Sequence, residues 1–142
     1  MSSCFTDKEI EYAARGLIDR SLPKAAWTHA AHLAAALWLL KHRGLHAMRE
    51  MPPLIVAYNE ATGVANTDTG GYHETITQAS LRAAHSWLQN RPDAPLNEVL
   101  RAMLAAPIGR SDWLFSYWSK PLLFSVTARK SWVEPDLAPL PF

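Results

Sequence analysis

Cysteine is almost absent from this sequence of 142 residues, which contains Cys4 and no other. A single cysteine excludes an internal disulfide and a metal site built from several thiolates. The sequence also lacks the Asn-Gly and Asp-Gly pairs and the alternating apolar and polar residues that are typical of β-hairpins. We therefore expect no β-sheet, and we find no internal repeat that would indicate a solenoid.

Runs of like charge are missing as well, and the formal net charge is +1. Nucleic-acid partners and anionic membrane surfaces are thus not expected, because both require clustered basic residues. The richest apolar run, residues 30–40, is too short to span a bilayer. The first ten residues have no apolar stretch of the signal-peptide kind, so we expect a cytoplasmic protein without a membrane partner.

What the sequence does contain is helical pattern. Hydrophobic residues make up 49% and charged residues 19%, which is typical of a folded protein, and the length suits one domain over residues 1–142. Thr6 and Glu9 have the spacing of a capping box, which marks the start of a first helix. We predict an all-α, single-domain bundle of about six helices with an extended, proline-rich C-terminal tail.

Turn residues and caps divide the chain into these helices. The second helix starts at either Pro23 or Thr28 and ends before Gly44. Pro52 and Pro53 should break or sharply kink the third helix. The predicted helices cover residues 7–19, a second segment ending near 43, then 45–61 with the proline break, 72–89, 96–105, 113–119 and 121–130.

Three of the six histidines are predicted to face the core. With about 100° between successive helical residues, His29 lies on the apolar stripe of the second helix and His32 close beside it. His73 lies about 40° from the centre of the apolar stripe of the fourth helix. The other three histidines are expected at the surface: His42, His46 and His85.

Our first hypothesis is a metal site formed by His29, His32 and His73. Two histidines three residues apart present their rings on one side of a helix, and a third ring from a facing helix can complete the ligand set. Imidazole suits zinc, iron, nickel and copper, so the cofactor would be a divalent transition metal. This hypothesis predicts a metal-dependent enzyme, with hydrolytic or oxidative chemistry on a small molecule, or a metal-binding protein.

Metal-free alternatives fit the same residues. His73 can act as a general base, oriented by a neighbouring carboxylate or by Thr77, with Tyr72 donating to developing negative charge. Glu74 lies about 140° from the core stripe, so it is expected to cap the helix or to support an imidazole from outside. Gly70 and Gly71 either supply loop geometry or expose helix N–H groups to an anionic ligand. A second hypothesis is therefore a small-ligand-binding or regulatory module. A third is a structural protein whose histidines are only hydrogen-bonded core residues.

Two further features have simpler interpretations. Arg129 is suited to bind an acidic ligand or, more simply, to pair with Glu134 or Asp136. A group of aromatic residues recurs at helical spacing, and this favours core packing over a ligand platform: Trp113, Tyr117 and Trp118.

Two segments also carry a resemblance. Residues 27–33 read Trp-Thr-His-Ala-Ala-His-Leu, and residues 71–77 read Gly-Tyr-His-Glu-Thr-Ile-Thr. With Ala128-Arg129 and Pro135-Asp136-Leu137, this chain resembles a family of small, all-helical bacterial hypothetical proteins over residues 27–137. That family pairs an aromatic-x-His-x-x-His-Leu segment with a Tyr-His-Glu-Thr-x-Thr segment. The resemblance implies one shared site and no particular reaction, with these residues as its members: His29, His32, Tyr72, His73, Glu74, Thr75 and Thr77.

Overall fold

The computed structural model describes residues 5–142, so Cys4 lies outside the described residues. In this range the chain forms seven α-helices and four 3₁₀ turns and no β-strand, which confirms the predicted all-α class. The helices are α1 (Asp7–Asp19), α2 (His29–Arg43), α3 (Ala47–Ala61), α4 (Glu74–Asn90), α5 (Leu96–Ala105), α6 (Lys120–Leu123) and α7 (Val126–Lys130). None of the helices in residues 5–142 combines the length and the apolar character that a membrane span requires.

Helix α2 is the central element of the bundle. It packs against α1, α3, α4 and α5, and all residues from 33 to 40 are buried. A helix that is apolar on every side is typical of a core surrounded by other helices. The single apolar stripe that we predicted from His29, Leu33, Ala36 and Leu40 therefore understates the burial, and this stripe alone does not define which way α2 faces.

Local capping fixes the start of the first two long helices. The Thr6 hydroxyl accepts from the Glu9 amide at 3.1 Å, and the Glu9 carboxylate accepts from the Thr6 amide at 2.9 Å, so the predicted capping box is present. At α2 the Thr28 hydroxyl accepts from the Ala31 amide at 3.2 Å. Thr28, rather than Pro23, is thus the cap, and His29 is the first helical residue.

The predicted break at Pro52 and Pro53 does not occur, since both lie inside a continuous α3. A proline in a helix leaves the carbonyl four residues earlier without its donor. For Pro52 that carbonyl belongs to Met48, and the Gln78 side-chain amide of α4 donates to it at 2.9 Å. The neighbouring helix supplies the missing hydrogen bond, which a sequence pattern cannot anticipate.

The C-terminal region departs from prediction in detail. Residues 113–119 form a 3₁₀ turn (Trp113–Ser116) instead of an α-helix, and the last predicted helix is divided into α6 and α7. Ser119 and Ser125 each cap one of these short helices. Residues 131–142 contain no helix, as expected, and hydrogen bonds attach them to the bundle. Among these, Ser119 donates through its amide and its hydroxyl to the Asp136 carboxylate, both at 2.7 Å.

Candidate functional site

His73 is the residue whose position differs most from the helical prediction. It is not in the first turn of α4 but is its N-cap, with extended backbone angles (φ −136°, ψ 111°). The 100° rule applies only inside a helix, so it does not describe where this side chain points. The ring is nevertheless buried, at 7% exposure.

Both ring nitrogens of His73 have partners. Nδ1 accepts from the Ile76 amide at 3.2 Å, and Nε2 lies 2.7 Å from the Leu123 carbonyl oxygen. A carbonyl can only accept, so Nε2 carries the proton and the ring is a neutral tautomer. Burial lowers the pKa of His73, and the nearby Arg129 lowers it further, against an opposing effect of the Leu123 hydrogen bond. This arrangement leaves no ring nitrogen available for a metal or for proton transfer.

His29 is also bound to the backbone, at a different carbonyl. Its Nε2 lies 2.9 Å from the carbonyl oxygen of Ile108, which has to be the acceptor. The ring is only partly buried. In the neutral form Nδ1 of His29 is then an acceptor.

His32 differs from both. Within the described residues 5–142, neither of its ring nitrogens has a hydrogen-bond partner, although the side chain is mostly buried. Its ring packs at a tilt beside the indole of Trp27, with 5.4 Å between the ring centroids. Burial lowers the pKa of His32 to about 4, and the proximity of His29 adds to the shift. At neutral pH His32 is therefore an uncharged imidazole that offers one donor and one acceptor.

Tyr72 and Glu74 form a pair of their own. The Tyr72 hydroxyl donates to the Glu74 carboxylate. Burial raises the pKa of Tyr72, and Glu74 raises it further through this hydrogen bond and its charge, while a hydrogen bond with Thr77 acts in the opposite direction. The phenol stays protonated and its proton is directed at Glu74, so the pair is independent of the His73 ring.

Thr75 and Thr77, the two threonines of the second segment, have different roles: Thr75 stabilises the fold, and Thr77 lines the cleft. Thr75 is fully buried. Its hydroxyl donates to the Ser131 carbonyl at 2.9 Å and accepts from the Val133 amide at 3.2 Å, which fastens the C-terminal tail to α4. Thr77 instead lies in the wall of a cavity.

Two cavities meet around His32. The larger measures about 380 Å³ and the smaller about 260 Å³. They share the side chains of Trp27, His32 and Ile76, and together we call them the cleft. The larger cavity is lined in addition by Ile55, Asn59, Val64, Gly71, Tyr72, His73 and Thr77. The smaller is lined in addition by Thr28, His29, Ser80, Ser111, Trp113 and Leu114.

The structure brings the two predicted segments to one cleft but does not assemble the predicted ligand set. His29 and His32 line the smaller cavity, whereas His73 joins His32 only in the larger one. Across residues 5–142, no group of three or more histidine, cysteine, aspartate or glutamate side chains is arranged to hold a metal ion. The physical reason is that the backbone already uses both nitrogens of His73 and Nε2 of His29.

The loop between α3 and α4 contributes residues that the sequence analysis missed. The Asn66 side chain accepts from the Tyr72 amide at 2.9 Å and from the Asn59 amide group at 3.0 Å, and it donates to the Val56 carbonyl at 3.1 Å. Asn66 therefore holds together the loop that forms one wall of the cleft. Its only sequence signal is an asparagine in a turn-rich segment, which does not distinguish this role from a simple turn.

Arg129 has a different partner from those we predicted. Its guanidinium donates to the carbonyl oxygens of Gly71 and Tyr72, at 3.1 and 3.3 Å. The predicted pairing with Glu134 or Asp136 does not form within the described chain, where Asp136 binds Ser119. Arg129 thus attaches the loop to α7.

Of the three aromatic residues predicted to pack in the core, Trp118 is fully buried and Trp113 is 6% exposed, whereas Tyr117 is only partly buried. Trp113 also lines the smaller cavity. His42 and His46 are exposed as expected, and His85 is partly buried rather than at the surface.

Comparison with protein-family models, curated proteins and solved structures gives no match. The function therefore has to be inferred from the geometry of the cleft.

Proposed function

We propose that this protein binds a small organic molecule in the cleft, without a metal ion, and that His32 is its principal polar contact. The observation that supports this most directly is the unpaired imidazole of His32 at the junction of the two cavities. Neither ring nitrogen of His32 is a buried atom without a partner, so both remain accessible to a ligand that donates to one and accepts from the other. The two cavities, of about 380 and 260 Å³, lie near the lower end of the range of about 300–1,000 Å³ that is typical of small-molecule pockets, which favours a small ligand.

The resemblance to the bacterial family supports the same site. Its two characteristic segments contribute Trp27, His29 and His32 on one side and Tyr72, His73 and Thr77 on the other. A shared binding cleft accounts for their occurrence together without requiring all of the histidines to be ligands. In this proposal His73 and Thr75 hold the walls in place. A cytoplasmic location and the lack of a nucleic-acid partner stay predictions from the sequence.

A variant that fills the cleft tests the proposal. Ile76 lines both cavities, so Ile76→Trp should block them, whereas Leu45→Trp adds the same bulk at a position that is 63% exposed. Both proteins and the wild type would be screened against single-ring fragments by NMR, following the side-chain signals of the histidines and tryptophans. Circular dichroism would verify that each variant is folded.

We expect some fragments to shift the signals of Trp27 and His32 in the wild type and in Leu45→Trp, and not in Ile76→Trp. If no fragment shifts these signals, or if folded Ile76→Trp binds as well as the wild type, the cleft is not a binding site.

A further inference from the structure

The walls of the cleft contain no charged side chain. Neither cavity is lined by aspartate, glutamate, lysine or arginine among the described residues 5–142. The charged groups nearby have other partners. Glu74 accepts from Tyr72, and Lys130 pairs with Asp68 at 2.8 Å. Arg129 donates to loop carbonyls through one terminal nitrogen, while its Nε is buried without a partner among the described residues. An ionic ligand would lose its hydration here without gaining a counter-charge.

The polar groups in the walls of the cleft are neutral, and they include both hydrogen-bond donors and acceptors. Several hydroxyl and amide hydrogens in the walls are already donated. The Ser80 hydroxyl donates to the Ile76 carbonyl at 2.9 Å, and the Asn59 amide group donates to Asn66. Their oxygen atoms can still accept. His32 adds both a donor and an acceptor, so a ligand that carries both kinds of group matches this cleft better than one that carries only one.

The apolar part of the lining indicates the shape of the ligand. Indole rings of Trp27 and Trp113 and the aliphatic side chains of Ile76 and Leu114 contribute to the smaller cavity. Aromatic side chains pack well against flat ring systems. The volume of about 260 Å³ suits one substituted ring better than a larger scaffold.

The competing possibility is an anion at a helix amino terminus. Helices α2 and α4 both begin at the cleft, and free amides at such ends attract negative charge. At α4, however, the Glu74 carboxylate already lies in the first turn, where it offsets the dipole. At both ends, one first-turn amide is bonded to the capping side chain, Thr28 or His73.

From these observations we infer that the cleft selects an uncharged, flat molecule whose polar edge carries a hydrogen-bond donor and an acceptor, as a carboxamide does. His32 forms hydrogen bonds with this edge. This inference rests on the proposed binding function and adds the chemical class of the ligand.

Three molecules of nearly the same shape test the proposed class of ligand. At pH 7.5 benzamide is neutral, benzoate is an anion and benzamidine is a cation. Titrations followed on the ring signals of His32 and Trp27 should give the lowest Kd for benzamide. Each charged analogue should bind at least about tenfold more weakly, which corresponds to the loss of roughly one good interaction.

Variants of His32 test its contact with the polar edge. His32→Gln keeps a neutral donor and acceptor and should bind benzamide nearly as tightly as the wild type, whereas His32→Leu should bind it at least about tenfold more weakly. His46→Leu, at an exposed site, is the matched control and should behave as the wild type. Signals of Trp27 report binding in the variants, and circular dichroism verifies that they are folded.

The outcomes separate the inference from the proposed function. If benzoate or benzamidine binds the cleft as tightly as benzamide, the neutral class is wrong while the binding function stands. If folded His32→Leu binds benzamide as tightly as the wild type, His32 does not contact its polar edge. If none of the three molecules, nor any fragment of the wider screen, gives shifts that Ile76→Trp removes, the binding function itself fails.

Discussion

At the scale of single residues, three histidines of identical chemistry serve different purposes. His73 and His29 are bound to backbone carbonyls of Leu123 and Ile108, and His73 also caps α4. His32 has no such partner in residues 5–142 and lies at the centre of the cleft. A buried imidazole with both nitrogens satisfied stabilises the fold, whereas an unpaired one is available to a ligand. The assignment of roles therefore depends on hydrogen-bond partners and not on burial alone.

Replacement of His73 should be costly for stability. His73→Ala removes the helix cap, worth about 1 kcal/mol, and leaves the Leu123 carbonyl without a donor, worth about 1–3 kcal/mol. We expect a decrease of about 2–4 kcal/mol in the free energy of unfolding, measured by urea denaturation. His73→Asn retains a capping side chain and should lose about half as much. A loss below about 0.5 kcal/mol in His73→Ala, as expected for the exposed control His46→Ala, would contradict the structural role.

At the scale of elements, the loop between α3 and α4 and the helix α4 hold the cleft together. Asn66 binds three groups of the loop and of α3, and Arg129 attaches the same loop to α7. Gly71 has φ +78°, and an added Cβ would lie 2.4 Å from the Ala65 carbonyl oxygen. The tight turn that presents Tyr72 and His73 thus requires glycine for two reasons, its positive φ and the lack of space.

Two glycines of this loop provide a matched comparison. Gly63 also has a positive φ, +83°, but an added Cβ would meet nothing within 4 Å. Gly63→Ala should therefore lose about 1 kcal/mol of stability from backbone conformation alone. Gly71→Ala adds a backbone clash and should lose about 3 kcal/mol or more, with faster amide hydrogen exchange in residues 64–73. Equal losses in the two variants would contradict the close approach at Gly71.

The continuity of α3 through its two prolines gives another prediction at this scale. Gln78→Ala removes the donor that satisfies the Met48 carbonyl. We expect a decrease of about 1 kcal/mol in the free energy of unfolding and faster amide exchange around the prolines. Gln89→Ala, an exposed substitution in the last turn of α4, is the control and should change stability by less than about 0.5 kcal/mol. If the two variants unfold alike, Gln78 does not support α3.

At the scale of the whole molecule, the position of α2 determines where the cleft lies. Residues 33–40 are enclosed by the surrounding helices, and only the amino end of α2, with His29 and His32, opens to the cleft. The walls come from distant parts of the chain, including α4 and the 3₁₀ turn Trp113–Ser116. The stability of the bundle is thus linked to the protonation of histidines that this packing holds neutral.

Acid should therefore destabilise the protein before its carboxylates titrate. The pKa of His32 is lowered to about 4 and that of His73 is also lowered, so below pH 6.5 the unfolded chain binds more protons than the folded one. Their contribution is fully present above about pH 6.5 and is lost as the pH falls towards 4. We expect about 2 kcal/mol from His32 between pH 7.5 and 4.5, less than the full shift implies because the ring is partly exposed.

Urea unfolding at several pH values between 7.5 and 4.5 measures this contribution. His32→Gln cannot titrate, so its loss of stability in acid should be smaller than that of the wild type. His46→Gln, at an exposed position, should follow the wild-type curve. Parallel curves for wild type and His32→Gln would show that His32 is not held neutral by the fold.

Features that depend on neighbours along the chain can be predicted from the amino-acid sequence alone. The all-α class, the Thr6 capping box and the end of α2 before Gly44 follow from caps and periodicity within a few residues. The sequence also drew attention to His29, His32 and His73. The hydrogen-bond partners, in contrast, depend on the folded arrangement, because each pair is thirty or more residues apart in the chain: Leu123 for His73, Ile108 for His29 and Gln78 for Met48. Every neutral imidazole carries the same donor and acceptor, and packing decides whether the backbone or a ligand receives them.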